Sequence, residues 1–210
     1  INKWGAWDEM PQAVRDFLKR ADPRFECPKR KDFEEMDISI FQVMHSGYML
    51  QGASNKTEEL GLTPVSIPRV GSGTEAGELG KVLGEIAKEI ECSGVPCKPP
   101  CVLISDGESI VTVGEEAEHA LPEGGRNQEF VLSSALRIEG SRNITVAAVD
   151  SDGTDGPTTA AGGIADGYTL KEAKKHGVNI FDALRRHSTT SALTKMGNVI
   201  ITGNTGTNTM

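Results

Sequence analysis

Aromatic side chains make up only 5% of this 210-residue chain, and no run approaches the ~18 apolar residues a membrane-spanning helix requires. No charged leader followed by a short apolar stretch opens the chain, so no secretory signal is visible. With neither feature, a cytoplasmic location is the default expectation. Basic residues are outnumbered 22 to 30 by acidic ones, leaving a net charge of −8 and a pI near 5.1. That balance argues against a general nucleic-acid or acidic-membrane surface, because either partner needs clustered Lys and Arg. A small anionic molecule can still be held locally. Cysteine is limited to four positions, and although Cys92, Cys97 and Cys101 lie close together, they lack the CxxC pairs and nearby histidines of a structural zinc site. Reduced thiols are expected. The chain starts at Ile1, without methionine, and stops in a loop just after a strand-like run, so both ends are expected to be cuts within a longer protein.

Hydrophobic residues, at 37%, suffice for a substantial core in one large domain or two small ones. Residues 8–20 pattern as an amphipathic helix, with Asp8 as its cap and Met10, Val14, Phe17 and Leu18 on one face. Residues 38–44 have strand character, 46–60 helical character ended by Gly61, and 63–67 strand character again, which together form a βαβ unit. A glycine loop, Gly71 to Gly77, precedes a long helix carrying Leu79, Val82, Leu83, Ile86 and Ile90. It imitates a dinucleotide fingerprint, but no strand with a terminal acid follows at the right distance, and a plain flexible loop explains it as well. Three prolines between Cys92 and Pro100 mark a domain boundary. Beyond it, residues 101–105 and 108–113 form two strands joined by Asp106-Gly107, the pair a tight hairpin turn prefers. The expected fold class is α/β, with a mixed sheet in the second part.

Three later loops carry the chemistry. In Gly124-Gly125-Arg126-Asn127-Gln128-Glu129, two glycines and an arginine stand directly before an apolar helical pattern that runs to about Ile138, with Asn127 as the cap. Free N–H groups at a helix start, close backbone approach and a guanidinium fork make an anion site; a glycine turn with a surface arginine is the structural alternative. The second loop follows the buried-type strand 144–149 and presents Asp150, Asp152 and Asp155. Carboxylates at a strand's C-terminal end suggest a hard cation such as Mg²⁺ accompanying phosphate, with acidic turn residues as the alternative. Residues 158–167, rich in alanine and glycine, look like a return turn leading to helices near 170–174 and 180–185. The third loop, Gly203 to Asn208, follows the last strand, 198–202, and offers amides and threonine hydroxyls to phosphate without completing a P-loop.

Taken in order, Gly124-Gly-Arg-Asn-Gln-Glu129, Asp152-Gly-Thr-Asp-Gly-Pro-Thr158 with Ala160-Ala-Gly162, and Thr202-Gly-Asn-Thr-Gly-Thr-Asn208 resemble the glycerate 2-kinases whose C-terminal domain is called MOFRL. The resemblance covers essentially the whole chain and implies the tail of a Rossmann-like domain over residues 1–98. A MOFRL-like mixed-sheet domain, truncated at its C-terminus, would then occupy 99–210. It implies ATP-dependent phosphorylation of the 2-hydroxyl of D-glycerate with Mg²⁺, in a cleft between the two domains. Within that cleft it implies Arg126 as the catalytic residue, opposite a lysine of a first domain whose remainder is missing here. Gly124, Gly125, Asn127, Gln128, Glu129, Thr205, Gly206, Thr207 and Asn208 would bind substrate or nucleotide, and Asp152 and Asp155 the metal. Expected partners are D-glycerate, a nucleotide, the missing N-terminal domain and a second copy of the chain, with neither nucleic acid nor membrane. The chain departs from the family's pattern at Gly47, Asp106, Asp150 and Asn204. A hydroxypyruvate reductase and a non-catalytic nucleotide-binding module are the rival readings. No residue of this half is assigned to deprotonate the hydroxyl.

Overall fold

Small residues decide how closely the layers of this chain approach one another. The computed structural model describes residue 3 and residues 5–34, 36–41, 45–114 and 123–209, and it divides into two compact units, residues 1–43 and 44–210.

The first unit holds α1 (Gln12–Arg20), a 3-10 turn (Pro23–Phe25) and α2 (Arg30–Glu34). Helix α1 begins after Pro11, whose fixed φ suits a helix start, so Asp8 is not its cap. Its end is set by Ala21, which turns into the left-handed region and returns its N–H to Leu18 O. The Phe17 and Phe25 rings pack at 5.2 Å. Of the strand expected over 38–44, residues 38–41 are irregular, and 42–44 lie outside the described residues.

The second unit runs α3 (Ser46–Glu59), β1 (Thr63–Ile67), α4 (Ala76–Ser93), β2 (Cys101–Ser105), α5 (Arg126–Arg137), β3 (Thr145–Val149), β4 (Gly162–Asp166), α6 (Thr169–Lys175), α7 (Ile180–Arg185), α8 (Thr189–Met196) and β5 (Val199–Ile200). The parallel unit lies one step further along the chain than expected. Strand β1 pairs with β2 in register from Thr63 opposite Cys101 to Ile67 opposite Ser105, and α4 is the crossover. The expected hairpin does not form. Of its two turn residues only Gly107 takes a positive φ, whereas a type I′ turn needs both. Asp106 instead accepts the N–H of Arg69, and Gly107 packs against Val70 O and Ser72. Ile110 makes only an isolated parallel bridge with Glu75. The proline-rich stretch does not interrupt packing, since β1 and β2 pair across it and Thr63 N donates to Pro100 O.

Helices α4 and α5 press together along Gly77, Gly80 and Gly84. A Cβ on Gly80 would run into Phe130 O, and one on Gly84 would lie 2.9 Å from Arg137 Cβ. The Ser134 hydroxyl sits within hydrogen-bonding distance of both Gly80 O (3.0 Å) and Phe130 O (2.8 Å). Each such glycine costs a helix about 1 kcal/mol in propensity, which close packing offsets. On its other side α5 buries Val131, Leu132 and Ala135 against Ala165, Ile180 and Leu193, drawn from β4, α7 and α8.

The antiparallel sheet has the order β3-β4-β5, so the stretch expected as a return turn supplies its central strand. Glycine is required in β4 because a Cβ on Gly162 would collide with Ala148 O, and one on Gly163 would press on Leu193. The chain is therefore a mixed α/β protein with one parallel and one antiparallel sheet. Gly80→Ala is expected to lower stability by about 1–3 kcal/mol through overpacking. Gly52→Ala, which meets open space in α3, should be neutral or stabilising. Urea midpoints of the two variants check both.

Candidate functional site

The N-terminus of α5 is closed from a distance. Gly125 is its N-cap residue and has no side chain to contribute. Asp155 caps it instead. Oδ1 accepts the Asn127 N–H (3.1 Å) and side-chain amide (3.0 Å), and Oδ2 accepts the Gln128 N–H (2.9 Å) and Nε2 (3.0 Å). These are the two backbone donors a local cap would serve. Asn127 is therefore a donor to the cap and not the cap itself. A Cβ on Gly125 would collide with the Asp155 carboxyl carbon, and one on Gly124 with the Thr189 hydroxyl. Gln128, fully buried, also accepts from Thr190 Oγ1 at 2.6 Å. Backbone bonds from Glu123 N to His187 O (2.9 Å) and from Thr190 N to Glu123 O (2.8 Å) tie the motif to the start of α8.

With the helix end filled by the protein's own carboxylate, Arg126 becomes the group that can meet an outside anion. It is the first residue of α5, and its guanidinium donates to Glu108 Oε1 at 2.6 Å through Nη1 and to Asp150 Oδ2 at 2.8 Å through Nη2. Partial burial works against its charge, but the hydrogen bond it donates to Glu108 and the field of Asp150 hold its pKa above the ordinary value. The Asp150 side chain is 14% exposed and that of Glu108 52%, so Glu108 is the partner a ligand can displace. The cleft here has a volume of about 660 Å³, and Glu108, Val111, Arg126, Glu129, Asp150 and His187 are among its walls. On one wall Glu129 Oε1 lies 2.9 Å from His187 Nδ1. Burial pushes the Glu129 carboxyl up, against the lowering effect of His187.

The three loops do meet, in series. Loop 150–155 gives Asp155 and Asp150 to the α5 motif, and its backbone also holds the third loop. Thr205 N donates to Asp152 O (3.1 Å), Thr207 Oγ1 to Ser151 O (3.1 Å), and Thr209 N to Ser151 Oγ (3.0 Å). Thr205, Gly206, Thr207 and Asn208 are exposed and are not among the residues that wall the cleft. The carboxylates expected to hold Mg²⁺ have other work. Asp155 is saturated by four N–H donors, and Asp152 Oδ1 accepts the Thr154 N–H (2.8 Å) and hydroxyl (2.9 Å), which lower its pKa. Among the described residues no group of three or more His, Cys, Asp or Glu is placed to hold a metal ion. Among the described residues, the hydrogen bonds of Asp152 and Asp155 do not leave them arranged as a Mg²⁺ site.

Sequence reasoning missed His187, Glu108 and the helix α8. The Ser188-Thr189-Thr190 start and the Gly197 stop were the available signals for α8. Nothing local marks His187 or Glu108, because their roles come from partners 58 and 18 positions away.

Residues 101–210 match the MOFRL family, and the chain belongs to that family. It is 34% identical over 208 residues to a glycerate 2-kinase of Pyrococcus horikoshii, covering 99% of this chain and 46% of that protein. A D-glycerate 2-kinase of Thermotoga maritima is 42% identical over 134 residues, 64% of this chain and 31% of that one. The crystal structure of a glycerate kinase from Thermotoga maritima superposes with a TM-score of 0.75 at 36% identity, covering 81% of this chain and 40% of that chain. The chain thus spans less than half the length of the curated relatives it matches. Among the described residues no helix is long and apolar enough to cross a membrane.

Asp155→Ala strands the N–H groups of Asn127 and Gln128, one pair of them buried. It is expected to cost about 2–4 kcal/mol by chemical denaturation, the sum of a lost cap and unsatisfied donors.

Proposed function

We propose that the full-length protein carrying this chain transfers the terminal phosphoryl group of ATP to the 2-hydroxyl of D-glycerate, giving 2-phosphoglycerate and ADP, in the cytoplasm. The observation that carries this reading is Arg126, a half-buried guanidinium set at the wall of a cleft and already engaged by two carboxylates. A site built to hold carboxylate oxygens on a planar fork suits both the carboxylate of a hydroxy acid and a phosphoryl group. Glycerate kinase relatives supply the reaction class.

In this reading the incoming anion replaces Glu108 at Nη1, and Asp150 keeps Nη2 in place. Asp150 suits the fixed role because it lies at the end of β3, with its N–H bonded to Ala161 O at 2.7 Å. Phosphoryl transfer depends chiefly on positioning and on charge stabilisation at the transferring oxygens, and a partly desolvated arginine provides both. Gly124, Gly125, Asn127 and Gln128 act by holding the arginine's helix end against Asp155. The nucleotide is left to the exposed residues 205–208 and to the remainder of the full-length protein.

With the full-length protein, ADP formation should depend on D-glycerate. Oxidation of NADH with hydroxypyruvate and no ADP formation would overturn the reading. Arg126→Ala should lower kcat/KM by about 10²–10³-fold, the range for loss of one preorganised charge-stabilising donor. Wild-type turnover in that variant would remove the arginine from the mechanism.

A further inference from the structure

One turn along α5 from Arg126, the same cleft is lined by a histidine–carboxylate pair, His187 with Glu129, that the anion-binding role leaves unused. His187 follows α7, and its backbone is left-handed, with φ +53°. Ser188 N donates back to Ala183 O at 2.9 Å, so His187 occupies the place after a helix where glycine is the default residue. A side chain there strains the backbone, and an outlier of this kind at a cleft is a pointer to function. The ring Nδ1 faces Glu129 Oε1 at 2.9 Å. Both side chains are mostly covered, 16% and 8% exposed, yet both line the cleft that Arg126 lines.

We propose that His187 accepts the proton of the acceptor hydroxyl through Nε2, and that Glu129 is the positioning residue that makes it able to do so. The proposal rests on the kinase reading. When Glu129 is ionised, its oxygen can only accept, which places the ring proton on Nδ1 and leaves the Nε2 lone pair for the substrate. When Glu129 is protonated it can donate to Nδ1, and the ring proton then moves to Nε2, where it blocks the site. In the reaction the hydroxyl oxygen forms a bond to the terminal phosphorus of ATP as its proton passes to Nε2. The bond from that phosphorus to the bridging oxygen breaks, ADP leaves with the electron pair, and the imidazolium later releases its proton to water. The Glu129 carboxylate stabilises the imidazolium in the interval.

The surrounding charges set the pH response. Asp155 behind the helix start and Glu75 at the start of α4 add to the burial that raises Glu129. Arg126, Glu108 and Asp150 stand along the cleft, Glu123 is bonded to Ser191, and Arg186 is paired with Asp182 at 3.1 Å. Because the Glu129 pKa lies above the ordinary carboxylate value, the base is absent at low pH. It appears as pH rises and Glu129 ionises, so kcat should fall on the acid side.

Full-length His187→Gly is the informative variant, since glycine relieves the left-handed backbone and should fold at least as well. Its kcat is expected to fall about 10²-fold or more with KM for glycerate within about threefold, to lose the acid limb of the pH profile, and to recover in part with added imidazole. Glu129→Gln, whose amide can donate to Nδ1 and push the ring proton to Nε2, should lower kcat and remove the same limb. Near-wild-type kcat with an unchanged pH profile in His187→Gly would overturn the proposal, as would a lack of imidazole rescue with KM raised in parallel. If the wild-type protein forms no ADP with glycerate, the kinase reading fails, and ring-nitrogen NMR of the full-length protein decides the geometry alone. An Nδ1-protonated His187 above the titration supports the pairing, and an Nε2-protonated ring sinks it.

Discussion

The carboxylate of Asp155 at the start of α5 is the interaction on which the site depends. One side chain serves four N–H groups of Asn127 and Gln128 and so fixes the end of the helix that bears Arg126. The same loop offers Asp150 to that arginine and the Ser151 and Asp152 carbonyls to the loop around Thr205 and Thr207. Three segments far apart in the chain are thereby joined through the single loop 150–155. Glycines at 124, 125 and 156 are the steric condition. A Cβ on Gly156 would meet Gly124 O, just as one on Gly125 would meet Asp155.

Capping from within the protein changes where an outside anion can bind. A bare helix start with two glycines is a ready anion site, but here the N–H groups are spent on Asp155. The attraction passes to the guanidinium of the first helical residue, which is held between an exposed and a covered carboxylate. A chain of net charge −8 can hold an anion at such a place because the positive charge is local and partly shielded from solvent. One turn along the same helix, burial and neighbouring carboxylates oppose ionisation of Glu129, while His187 favours it. The cleft therefore brings a guanidinium beside a mostly buried carboxylate–imidazole pair.

Elements with a long apolar period were legible without coordinates. The face of α5 carrying Val131, Leu132 and Ala135 is buried as its spacing requires, and α3, β1, α4, α6 and α7 lie where their patterns place them. Strand β4 was hidden because Gly162, Gly163 and Ala165 have the composition of a turn. Their small size answers to Ala148 and Leu193 across the sheet and core, not to local preference. The Asp106-Gly107 pair misled for the converse reason. Its local signal was a hairpin, but Asp106 is held by the Arg69 N–H and Ile110 bridges Glu75 at the start of α4, so the chain after β2 is drawn to that helix and not back along β2.

By itself the sequence determined which residues carry chemistry: the motif around Arg126, the aspartates after β3 and the threonine loop at the end, with family membership following from their order. Tertiary structure decided what each residue does. Hydrogen-bond partners 24 to 62 positions apart made Asp155 a cap, Asp150 a counter-ion, Gln128 a buried brace and His187 the partner of Glu129. Donor and acceptor types are written into a residue's identity, but the pairing depends on which groups the packed helices and strands bring within 3 Å of one another.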